Sequence, residues 1–213
     1  MKKIEQISAT LSFASPICWF KLPDSDQLNV DLLRDGQAWR TVSGGVTVSN
    51  QNGWHSDPVL FQRPEASFRA VCDAIRECVR AVTRNCAPTF DFEKSALFCE
   101  GWINMNPKGG YNSPHRHTGF LWSGTYYVQV PETNAERSGS IEFIDPRSRN
   151  DMHTIRESDL FATKLTFHPE AGHLVIFPSY LLHWVYPNEE AQERVSIAFN
   201  ARFGKPKKAA PQG

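Results

Sequence analysis

The stretch Asn112–Phe120 reads N-S-P-H-R-H-T-G-F and sets His115 and His117 two positions apart. On an extended segment the side-chain repeat is two, so both imidazoles leave the same face. Neutral imidazole suits divalent iron, zinc, copper or nickel, so the pair is a candidate half of a metal site, although by itself H-x-H also fits a chance pair of surface imidazoles beside a turn. A third histidine, His183, lies in the apolar run P-S-Y-L-L-H-W-V-Y-P, where a solvated imidazole would be out of place. A lone buried histidine is ordinarily a core residue with one satisfied nitrogen. In a β fold that also carries an H-x-H pair, it becomes a candidate third ligand. Further along, Arg194 and Ser196 again share a strand face. A guanidinium fork beside a hydroxyl is suited to gripping a carboxylate. Taken alone, Arg194 would be a surface arginine at a strand start. Following His183 across the Pro187-Asn188 turn, it is expected to face inward, next to the metal.

These residues carry a resemblance to a known family. The run G-H-L-V-I-F-P-S-Y-L-L-H-W-V followed by R-V-S resembles the C-terminal signature of Fe(II)/2-oxoglutarate-dependent oxygenases. The stretches WINMN (102–106), NSPHRH (112–117), SGTYYVQVP (123–131) and IEFIDPR (141–147) are similar to a bacterial branch of that superfamily with a prolyl-hydroxylase-like jelly roll. The likeness covers Trp102 to Phe203, and more weakly Gly53-Trp54-His55-Ser56. It implies Fe(II) held by His115, His117 and His183, and 2-oxoglutarate held at its far carboxylate by Arg194 and Ser196. Tyr126 or Tyr127, or Asn104 from the strand before, would add a hydrogen bond to the co-substrate. Dioxygen and an unidentified substrate are the implied partners, and the implied reaction is hydroxylation with release of succinate and CO2. The superfamily's proximal motif is usually H-x-D or H-x-E, giving a facial triad of two histidines and one carboxylate. Here His117 stands in the acid's place. Either the centre has three histidines, or a carboxylate arrives from elsewhere, with Glu142 and Asp145 nearest in sequence and Asp145 the minority candidate.

Two other classes compete. Three histidines and a water resemble a catalytic zinc site, as in hydrolases and lyases. Cupins use G-x5-H-x-H, and Gly109 is correctly placed for it. However, Leu121 and Trp122 stand where the cupin glutamate belongs, and the spacing from Gly172 to His183 is too long. Neither rival accounts for Arg194-x-Ser196. A non-catalytic jelly roll that binds a sugar or a partner through its aromatic residues is the third class.

The elements that must position these residues divide the chain in two. Residues 1–95 look mixed, with a helix over Pro64–Arg84. Its apolar positions Phe68, Val71, Cys72, Ile75, Val79 and Val82 fall at helical spacing. A shorter helix is expected near Asp26–Leu33. Residues 96–204 read as strands bounded by turn chemistry: Ala96–Met105, Leu121–Val130, Ser140–Ile144, Lys164–His168, His173–Phe177, Leu182–Tyr186 and Arg194–Phe203. The expected fold is mainly β, a double-stranded β-helix (jelly roll) with the N-terminal helices packed on one sheet. Residues 1–204 would form one domain, and 205–213 a disordered tail.

Composition bounds the rest. The chain has 213 residues, with 23 Lys plus Arg balancing 23 Asp plus Glu. Without a basic excess, no nucleic-acid partner is expected. No apolar run is long enough to span a bilayer, and the start lacks the apolar core of a signal peptide. Five cysteines without a C-x-x-C pair suggest reduced thiols in a cytoplasmic protein. His55, His153, His168 and His173 sit in polar or turn-like surroundings and carry no assigned role. Arg116 should point away from the metal by strand alternation, or toward a substrate anion if the segment is irregular. Arg147 and Arg149 read as solvated charges.

Overall fold

The computed structural model describes residues 13–147, 158 and 162–205. His153, Arg149, the first residues of the chain and nearly all of the expected tail lie outside them. Among the described residues, eleven strands form two antiparallel sheets. In chain order the strands are β1 (Cys18–Lys21), β2 (Asn50–Gln51), β3 (Trp54–His55), β4 (Ala96–Asn106), β5 (Tyr111–His115) and β6 (Trp122–Gln129). They continue with β7 (Ile141–Ile144), β8 (Lys164–Phe167), β9 (His173–Pro178), β10 (His183–Val185) and β11 (Arg194–Gly204). The larger sheet has the order β1-β9-β6-β11-β4-β3, and the smaller β2-β5-β10-β7-β8. From β4 to β11 the chain passes back and forth between the sheets, apart from the paired β7 and β8, as in a jelly roll.

Two helices, α1 (Ser25–Val42) and α2 (Ala66–Cys86), cover the outer face of the larger sheet. The six stripe residues of α2 are all buried, Ile75 and Val79 completely. Each such side chain contributes roughly 1.5–3 kcal/mol. Hydrogen bonds pin both helices to β6: Tyr126 Oη donates to Asn29 Oδ1 at 2.6 Å, and Trp122 Nε1 to Thr83 Oγ1 at 2.9 Å. The first helix is longer than its sequence pattern indicates, because the face it buries includes Asn29 and Gly36. A Cβ at Gly36 would come within 2.9 Å of Met105 Cε, so the missing side chain lets the helix lie close against the sheet.

Alternation along the strands of the larger sheet separates two interiors. Tyr126, Val128, Leu174, Ile176, Val195, Ile197 and Phe199 join the core beneath the helices. Tyr127, Val175 and Phe177 point the other way and pack with Ile141, Phe143 and Leu181 between the sheets. On β11 the residues facing between the sheets are Arg194, Ser196, Ala198 and Asn200, a polar row inside a β sandwich. That row faces the H-x-H strand.

Candidate metal centre

The three histidines arrive from different parts of the smaller sheet. His115 and His183 are direct cross-strand partners on β5 and β10 and share a face. His117 lies just past the end of β5, anchored by its backbone N–H donating to Ser179 O at 3.0 Å. Ring centroids are 4.4 Å apart for His115–His183 and 4.9 Å for His115–His117. One nitrogen from each ring can be chosen so that all three lie within 4.8 Å of one another. Small ring rotations bring such a set to the ~2.0–2.1 Å reach of a first-row divalent metal.

Backbone carbonyls set the tautomers of two rings. His115 Nδ1 is 2.7 Å from Ser113 O, and His183 Nδ1 is 2.9 Å from Leu181 O. A carbonyl can only accept, so each Nδ1 carries the hydrogen and each Nε2 keeps its lone pair, as metal-ligating histidines require. His117 is held differently: its Nδ1 lies 3.4 Å from Asn200 Nδ2. That amide nitrogen also donates to Glu100 Oε1 at 3.0 Å, and Ser123 Oγ donates to Asn200 Oδ1 at 2.7 Å. Burial drives all three imidazoles toward neutrality, His117 down to about 4 and His183 to about 3, and for those two the neighbouring histidines add to the shift. At neutral pH they are unprotonated, the state in which an imidazole can take a metal.

No carboxylate joins the three rings among the described residues. Asp145 is engaged by Arg147 at 2.8 Å. Glu142 faces the opposite side of β7, where it accepts from Thr166 Oγ1 at 2.6 Å and Tyr186 Oη at 3.0 Å. Burial opposes its charge, but those bonds, with Lys164, hold the carboxyl below its usual range.

The same cavity is lined by Arg194, Ser196 and Asn104. Arg194 is 1% exposed, and no carboxylate pairs with it among the described residues. Its Nε donates to Gly139 O at 3.1 Å, its Nη1 lies 3.2 Å from Ser196 Oγ, and its guanidinium lies 5.2 Å from the centre of the Tyr127 ring. Burial lowers its affinity for a proton, with the Tyr127 hydroxyl opposing. Tyr127 Oη and Asn104 Oδ1 are buried without a hydrogen-bond partner. Burial pushes the Tyr127 hydroxyl up to about 12, so it remains a donor. A buried unpaired cation beside orphaned polar atoms is costly unless an anion completes it. The donor set therefore fits a small carboxylate next to a histidine-bound metal.

Two sequence expectations need correction. Tyr126 does not reach the cavity: strand alternation turns it into the helix-side core, onto Asn29, and Tyr127 takes the inward place. His55 is not a loop histidine. It is buried on β3, with its ring stacked 5.1 Å from Trp102, which in turn packs 5.7 Å from His117. A period-two reading of Gly53-Trp54-His55-Ser56 as a strand would have found it, but the strand is only two residues long. His168 is exposed and half-buried His173 lies 3.6 Å from Glu170, both outside the site.

Residues 100–200 match the family model described as "Putative 2OG-Fe(II) oxygenase". No curated protein matches the chain. Among solved structures, a prolyl-4-hydroxylase from Pseudomonas putida aligns with a TM-score of 0.58 at 17% identity, over 87% of this chain and 91% of its own. A prolyl hydroxylase from Trichoplax adhaerens, in complex with a hypoxia-inducible-factor peptide, gives 0.58 at 12% identity, over 87% and 83%. HygX from Streptomyces hygroscopicus, with nickel and 2-oxoglutarate bound, gives 0.59 at 12% identity, over 91% and 83%. At these identities the likeness is one of fold, the jelly roll. The family match covers all three histidines, Arg194 and Ser196, and over that segment the chain is similar to the 2OG-Fe(II) oxygenases.

Proposed function

We propose that this protein is an Fe(II)- and 2-oxoglutarate-dependent dioxygenase that hydroxylates a substrate and releases succinate and CO2. One observation carries the reading: a fully buried arginine with no anionic partner among the described residues shares its cavity with three neutral histidines. His115, His117 and His183 would hold the iron, making a three-histidine centre. Arg194 would take the far carboxylate of 2-oxoglutarate, with Tyr127 and Ser196 completing its hydrogen bonds. Asn104 can present either end of its amide to the same ligand. Fe(II) with 2-oxoglutarate and dioxygen supplies the oxidising power for putting oxygen into a C–H bond.

The chain's own part is positioning and exclusion. The carbonyls of Ser113 and Leu181 fix two rings with their Nε2 atoms free, and Gly139 O fixes the guanidinium. Ile141, Phe177 and Val185 line the apolar side of the cavity and keep water out. A three-histidine zinc hydrolase would use the same ligands, but it gives Arg194 nothing to bind.

Anaerobic addition of Fe(II) and then 2-oxoglutarate to the chelator-treated protein tests the reading. The expected outcome is about one equivalent of iron, a visible charge-transfer band on adding 2-oxoglutarate, and a rise in Tm. Arg194→Gln should keep the iron and weaken 2-oxoglutarate by roughly 100-fold or more, the cost of removing one partner of a buried pair. Zinc uptake with no response to 2-oxoglutarate would favour the hydrolase class instead.

A further inference from the structure

Beyond the H-x-H segment a second cavity opens, a groove of ≈ 600 Å³. That volume lies within the ~300–1,000 Å³ usual for small-molecule sites. Its walls are largely apolar: Phe90 follows α2, Phe120 and Leu121 lead into β6 at Trp122, and Pro178 ends β9 just before Tyr180. Leu121 and Tyr180 are respectively 47% and 52% exposed, a large apolar surface left open. His117 lines both this groove and the inner cavity, so the groove runs up to the metal centre.

The groove has one charged side chain, Arg116. β5 stops at His115, so Arg116 is free of the strand alternation that would have turned it away. It is exposed, and among the described residues it makes no hydrogen bond or ion pair. An apolar trough with a single unpaired cation at its metal end is complementary to an apolar body bearing one negative charge. A dianion would leave one charge facing apolar walls. A peptide would bring backbone amides that those walls cannot satisfy.

We propose that this groove is the substrate subsite and takes a small apolar monoanion, its ring or chain body along Phe90, Phe120, Trp122 and Tyr180 and its carboxylate at Arg116. That the ligand is the substrate rests on the oxygenase reading; that it binds does not.

The probes are 2-naphthylacetate and its neutral amide, titrated into metal-free protein and followed by tryptophan fluorescence and ligand NMR. The acid should bind about tenfold more tightly than the amide, the scale of one charge-assisted contact at a partly exposed site. Arg116→Gln should bring that ratio near one while leaving the amide unchanged. Cys86→Trp, an exposed position on the groove wall, should weaken both probes about tenfold or more by filling the groove. Equal binding of acid and amide to the parent protein, or indifference to Cys86→Trp, overturns the proposal, as does a neutral capped peptide that displaces the acid at equal concentration. In Mn(II)-loaded protein the ring protons of the bound acid should broaden. Acid-selective binding without broadening in the loaded protein overturns the substrate assignment. If no metal loads while acid selectivity persists, the iron reading falls and the binding site stands.

Discussion

His115, His117 and His183 crowd around one point with His55 behind Trp102, and burial is the largest cause of each one's lowered proton affinity. The sign of the resulting pH dependence follows directly. An unfolded histidine takes up a proton near pH 6.5, whereas folded His117 waits until about 4 and His183 until about 3. Between those limits the unfolded chain binds more protons, so stability falls as pH falls. It is fully present above pH 6.5 and its loss levels off below the folded values. For His117 alone the loss is on the order of 3 kcal/mol. Urea midpoints of the metal-free protein from pH 7.5 to 4 should decline, and His117→Gln should shallow that decline. A flat profile in the parent would show that the rings are not buried as neutral groups. The residues that line the inner cavity were legible as candidates, because H-x-H, a histidine in an apolar run and R-x-S are chemically unusual in their settings. Tyr127 was only half legible. Adjacent tyrosines on a strand face opposite ways, and nothing local says which way is in.

On β6, Gly124 sits between β9 and β11, paired with Ile176 on one side and Phe199 on the other. A Cβ there would lie 2.3 Å from Phe199 Cζ and 2.4 Å from Val175 O. One contact is backbone and cannot swing aside, so Gly124→Ala should destabilise by about 1–3 kcal/mol. A thermal melt showing a drop of several degrees checks this; an unchanged Tm would mean that Phe199 and β9 press less tightly on β6 than described. Strands were readable in the sequence wherever turn residues bracket them: Lys164–Phe167 and Arg194–Gly204 match their expected spans within a residue or two. Three short strands, Cys18–Lys21, Asn50–Gln51 and Trp54–His55, were not readable, since two to four residues carry no period. Tyr111–His115 contains Pro114 and follows a glycine turn, so it reads as loop although it pairs with β2 and β10. α2 was plain from its stripe, whereas α1 hid behind a buried glycine and asparagine.

Across the whole molecule, helices cover one sheet, and the site lies between the two sheets. Its parts come from 115, 117, 183 and 194, so only tertiary pairing brings them together. Their convergence on one cavity was therefore an expectation of the fold and not of any local pattern. The inner cavity and the outer groove meet at His117, which predicts that their ligands bind together. In metal-loaded protein, 2-oxoglutarate should not displace 2-naphthylacetate, and the acid's Kd should change by less than about threefold at saturation. Mutual displacement would place both ligands on Arg194. Finally, β11 is a party wall: odd-numbered residues from Val195 to Ala201 build the helix-side core, and even-numbered ones from Arg194 to Asn200 furnish the cavity. Heredity can therefore edit this strand one letter at a time, but loss or gain of a single codon within it exchanges the two sets. Arginine would then face the helices and isoleucine the metal. In descendants of this gene, the distance from His183 to Arg194 should drift through the intervening turn, while the length of the strand beyond it stays fixed.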